Sequence, residues 1–148
     1  YMQKDAEFHG YEFEIGQRVN LWQGLLWLSV GRDTVSGKFA DGTYVPRIPP
    51  SRNIYSAVYA QNDWEVSAIL KNVAAQSQLS TNETATDGYE MLDINFTQTF
   101  QLRSGVNLEL SIFGNNLLDE VARNHTSPVK NEVPLAGKNY GIGLQMKF

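Results

Sequence analysis

The last nine residues, Tyr140-Gly141-Ile142-Gly143-Leu144-Gln145-Met146-Lys147-Phe148, carry an aromatic or aliphatic side chain at every second position. Successive side chains of a strand point to opposite faces, so a strict period of two marks a strand with one apolar face. The same pattern recurs upstream. Leu108, Leu110 and Ile112 alternate with Asn107, Glu109 and Ser111; Leu92, Ile94, Phe96 and Phe100 alternate with Asp93, Asn95, Thr97 and Thr99. Trp64, Val66, Ala68 and Leu70 form a further set, as do Leu26, Leu28 and Val30, and Tyr11, Phe13, Ile15 and Val19. Around Tyr55, Ala57 and Tyr59 the alternation is less clean, because Ile54 and Val58 make both faces partly apolar. That makes seven strands, and no segment shows a convincing 3.6-residue period. The expected fold class is all-β, an antiparallel up-and-down meander of about seven long strands.

Composition narrows the function. The chain has 148 residues, a net charge of -4 and only 19% charged residues, with no basic block, which argues against nucleic acid as a partner. The longest apolar runs are about four residues, far short of a transmembrane helix. With 0 Cys there is no disulfide framework, thiolate metal site or cysteine nucleophile. The chain begins at Tyr1 with no apolar signal segment, so it is expected to be a piece of something longer, 1–148 forming one segment.

The connections alternate in length. Short polar turns are expected near 20–23, 61–63 and 102–105, and longer links at 36–46, 76–87 and 119–138. A meander with every short turn at one end and every long loop at the other is the layout of an outer-membrane β-barrel. Trp22, Tyr59, Trp64, Phe100 and Phe148 all fall at the short-turn end. Amphipathic rings gather at a lipid–water boundary as a girdle, whereas a sandwich core has no need of aromatics at one end. The strands span about ten to thirteen residues, and ~9–11 are needed to cross a bilayer.

Five stretches then carry a resemblance: DAEFHGYEFE (5–14), RIPPSR (47–52), GYEMLDINFTQTF (88–100), FGNNLLDE (113–120) and PLAGKNYGIGLQMKF (134–148). In this order they resemble the C-terminal part of a TonB-dependent outer-membrane receptor, over nearly the whole chain. HTSPVKNEVPLAGKN (125–139) is further similar to a subgroup that includes zinc- and haem-linked receptors. The resemblance implies a 22-stranded transmembrane barrel with a plugged lumen, of which this chain is the last third. It implies uptake of a scarce ligand, an iron–siderophore first, with zinc, haem, cobalamin or oligosaccharide as alternatives. Outer-membrane lipid and the barrel-assembly machinery are the implied partners, together with TonB through regions outside this chain. No cofactor or enzymatic role is expected. The terminal strand, with Tyr140, Ile142, Leu144, Met146 and Phe148, would be the signal read by the assembly machinery.

Individual residues are assigned on chemistry. Arg123, His125 and Lys130 lie in the longest loop and are candidates for ligand contact, with Asp119 and Glu120 nearby. His125 is also a weak metal candidate. A lone His with no second within five residues is a poor site, so a solvated loop side chain is the expected state. His9 is expected at the lumen or rim. Glu12 and Glu14 share a strand face without an oriented His or nucleophile, which fits a hydrated wall better than acid–base catalysis. Pro49 and Pro50 belong where a strand begins, because proline cannot donate to a ladder. Arg47 and Arg52 flank that pair at the outer rim, where loop carboxylates or lipid head groups are the expected partners. Two rival classes remain open: a soluble carbohydrate-binding β-sandwich, suggested by 3 Trp and an acidic pI, and a passive porin-like channel.

Overall fold

A computed structural model describes residues 4–102 and 105–148. They form one seven-stranded sheet in the order β1-β2-β3-β4-β5-β6-β7, every pair antiparallel and every strand beside its sequence neighbours. The strands are β1 (Ala6–Leu21), β2 (Gly24–Phe39), β3 (Arg52–Gln61), β4 (Trp64–Val73), β5 (Tyr89–Gln101), β6 (Asn107–Asn115) and β7 (Asn139–Lys147). The all-β meander read from the sequence is the fold. No described helix is long and apolar enough to cross a membrane, which has no bearing on crossing by strands.

Turn chemistry fixes one end. Leu21 pairs with Gly24 and Gln61 with Trp64, leaving two-residue turns whose first residues, Trp22 and Asn62, have φ of 52° and 51°. Tight hairpins need such left-handed residues because they match the twist of the strands. The expected turn at 102–105 includes residues 103 and 104, which lie outside the described set, as does Tyr1. The other end carries the long connections 40–51, 74–88 and 116–138. The first begins later than expected, because β1 and β2 stay paired as far as Ala6 and Phe39. Side chains there no longer alternate, but the backbone ladder satisfies its own donors and acceptors and so continues.

Register settles the two faces. Ile112 stands opposite Ile142 and Phe96, Phe96 opposite Val66, Val66 opposite Tyr59, Tyr59 opposite Leu26 and Leu26 opposite Val19. All belong to one apolar face. Glu12, Asp33, Arg52, Lys71, Asp93, Asn95, Glu109 and Ser111 lie on the opposite, polar face by the same register. His9, expected at the lumen or rim, lies on the apolar face near the long-loop end, because it shares the parity of Tyr11 and Phe13. On the polar face a Cβ at Gly141 would lie 2.6 Å from the ring of Phe113, its cross-strand partner, so glycine there makes room for the aromatic.

The sheet has almost no core. Among the described residues the buried hydrophobics are Val73 and Ala122, while Ile15, Ile142 and Leu144 are 67%, 74% and 69% exposed. A soluble sandwich would cover such a face with a second sheet, and the described strands form one sheet only. β1 and β7 each pair on one side only within it.

Candidate functional site

The deepest burial lies outside the sheet, where the long loops meet. His125 is 2% exposed, contrary to the solvated state expected of it. Loop 116–138 packs on loop 74–88, and the ring sits between them. Its Nε2 lies 3.1 Å from Glu83 Oε1 and its Nδ1 2.9 Å from Thr86 Oγ1. An ionised carboxylate only accepts, so Nε2 carries the proton and Nδ1 accepts from the Thr86 hydroxyl. Lys130 Nζ lies 3.3 Å from Nδ1 and 3.6 Å from Glu83 Oε1, both charged side chains being 8% exposed.

Glu83 is the hub. Its Oε1 also accepts from the Arg47 backbone N–H at 2.8 Å, and its Oε2 from Ser80 N–H at 3.1 Å. Arg47 holds a φ of 61°, which turns that N–H toward the carboxylate. Three loops therefore converge on one carboxylate. Burial alone would raise the Glu83 pKa. The backbone donors of Ser80 and Arg47, with His125 and Lys130, outweigh it and hold the group below its ordinary value. Burial lowers the His125 pKa, Lys130 lowers it further, and Glu83 opposes both without prevailing. The ring is neutral at neutral pH.

The expected site residues divide. His125 and Lys130 come together and border a polar pocket of about 280 Å³ with Arg47, Asn82 and Asn131. Arg123 faces its own loop instead: Nη1 donates to the carbonyls of Lys130 and Asn131 at 2.6 and 2.9 Å. Asp119 is taken by Lys138 at 3.5 Å, and Glu120 by the Asn116 side chain through its backbone. No group of three metal-ligating side chains forms among the described residues, and His125 has a single carboxylate and an ammonium beside it.

Sequence reasoning missed Glu83, Thr86 and Asn116. Asn116 is 1% exposed, holds φ at 49°, and bonds to Glu120 and Ala136, pinning both ends of the longest loop. Its place after FGN was visible; its partners were not. Arg52, expected to meet a loop carboxylate or head group, pairs across the ladder with Asp33 at 2.6 Å. Of the aromatics expected at the short-turn end, Tyr59 lies 5.2 Å from Trp64 and 6.3 Å from Trp22, and Trp64 lies 6.2 Å from Phe96. Phe100 sits at the same end of β5 and Phe148 one residue past β7.

No family model matches the sequence, and no curated protein matches it. Among solved structures 14 chains match. One is the copper transporter OprC, with a TM-score of 0.78 and 21% identity over 95% of this chain and 23% of that one. At that identity the likeness is one of fold. The chain spans about a quarter of the length of the transporter it matches.

Proposed function

We propose that this chain is part of the wall of a transporter β-barrel in the bacterial outer membrane, of the TonB-dependent kind. The observation that carries the reading is a seven-stranded meander with one uncovered apolar face, short turns at one end and long loops at the other. The fold likeness to a transporter supports it. The apolar face meets lipid, the polar face lines a hydrated lumen, and the terminal strand through Phe148 is the assembly signal. Arg47, His125 and Lys130 border the pocket that makes first contact with a scarce ligand, and Arg123 braces it. The plug and the TonB-contacting segment belong to other parts of the protein. An iron–siderophore is the proposed cargo.

This chain has 0 Cys, so single cysteines placed in it need only cysteines elsewhere in the full-length protein replaced to report cleanly. In the full-length protein in membranes, Leu110→Cys should resist a water-soluble maleimide and Ser111→Cys should react. Equal labelling would refute a lipid-facing wall. Cargo is decided by uptake into cells with labelled ferric siderophore, zinc, haem and copper in parallel. Loss of siderophore uptake on deletion supports the proposal; loss of another cargo alone replaces it.

A further inference from the structure

A polar row crosses the apolar face near the long-loop end. Arg32, Asn53, Asn72 and Glu90 stand opposite one another on β2 to β5. Arg32 Nε donates to the Tyr11 hydroxyl at 3.0 Å and its Nη1 to Asn53 Oδ1 at 2.9 Å. Both partners are neutral, so neither offsets the guanidinium charge. The carboxylate of the row, Glu90, accepts from Asn72 at 2.6 Å and belongs to a strand three places away, ~14 Å from β2.

Immediately below this row lies an apolar groove of about 540 Å³. Its floor is the cross-strand pair Ala57 and Ala68, smaller than the Leu28, Val30, Tyr55, Leu70 and Leu92 side chains that line the groove around them. Val30, Tyr55, Leu70 and Leu92 form its upper part, each two residues along its strand from a member of the polar row. A cation with neutral partners thus stands at the mouth of a trough built from small residues between large ones. An arginine fork suits phosphate oxygens, and a narrow apolar trough suits one hydrocarbon chain.

Resting on the reading of this face as lipid-facing, we propose that it holds one phosphorylated lipid of the leaflet at the long-loop end. Its phosphate lies on Arg32, steadied by Tyr11 and Asn53, and an acyl chain lies over Ala57 and Ala68. The site is a fixed lipid seat rather than a fluid boundary. The test is native mass spectrometry of the full-length barrel in detergent, titrated with lipid A and with lipid A stripped of its phosphates. One lipid A should be retained, and the stripped form should be lost about tenfold more readily. Arg32→Gln should show the same loss with lipid A, Arg32→Lys should retain part of it, and Ala57→Leu should displace the chain with Arg32 intact. Heat-modifiable migration on gels reports the barrel itself. A heat-modifiable barrel that keeps lipid A equally in Arg32→Gln and Ala57→Leu overturns the lipid seat alone. A wild-type protein that is never heat-modifiable and stays soluble without detergent overturns the barrel reading.

Discussion

Glu83 and His125 respond to acid in the same sense. Each has a folded pKa held below its ordinary value, 4.5 for the carboxyl and 6.5 for the imidazole. A depressed group stabilises the fold above its unfolded pKa and loses that contribution as pH falls through the folded value. The packing of loops 74–88 and 116–138 should therefore be intact at pH 7, weaken below 6.5 as His125 is forced to charge, and weaken again below 4.5. Hydrogen exchange of the two loops against pH checks this, with the strand amides as the unchanging reference. Replacing Glu83 by Gln leaves Lys130 without its counter-charge in a nearly dry site, which should cost about 3 kcal/mol of loop protection. Protection equal to wild type at pH 7 would show that the carboxylate is not the hub. The burial of His125 was illegible from the chain for a plain reason. Its carboxylate partner stands 42 residues upstream, in a loop with no periodic pattern, and local spacing carries no information about how two loops pack. The residues that sequence spacing put beside it, Asp119 and Glu120, are engaged within their own loop.

The strands are where sequence and structure agree most closely. A period of two places a whole strand on one face or the other, so one correct residue fixes the rest. Leu110, opposite Leu144 and Gln98, stands on the apolar face, and Ser111 on the polar face. In a bilayer Leu110→Arg should cost about 2–4 kcal/mol by reversible unfolding, while Ser111→Arg should be nearly tolerated. Equal costs would mean that the apolar face does not meet lipid. One residue past β7, Phe148 is 97% exposed and makes little of its own packing. If the chain is the barrel wall proposed above, deleting Phe148 from the full-length protein should lower the amount inserted in the membrane, while barrels that do insert keep nearly normal heat resistance. A melting shift with unchanged insertion would make Phe148 ordinary packing. Strand ends were less legible. At Gly10–Val35 and beyond, hydrogen bonding continues where side-chain alternation has stopped, so β1 and β2 outrun the hydrophobic pattern.

At the scale of the whole molecule, burial is what a globule has and this sheet lacks. On β5 the outward side chains run from Glu90 through Leu92, Ile94 and Phe96 to Gln98, ~27 Å along the strand. In a wall tilted by ~40°, Glu90 and Gln98 would bracket ~20 Å of height, of which Leu92 to Phe96 fill about half, against an apolar band of ~25 Å in outer-membrane barrels. The 148-residue chain expressed alone should aggregate in buffer and need detergent, because its apolar face and two strand edges are uncovered. A monodisperse monomer in plain buffer, seen by light scattering, would contradict this. The layout was legible because turns and loops alternate along the chain; how many strands a closed barrel would need is not written in these seven. The nearest-neighbour strand order also has a kinetic side. Every ladder here closes between consecutive strands, the longest gap running from Asn115 to Asn139, and each doubling of a loop costs only ~0.6 kcal/mol. Such a sheet can zip hairpin by hairpin. The outer edges of β1 and β7 are the two ladders this sheet does not close by itself, so their pairing has no share in that hairpin-by-hairpin zipping.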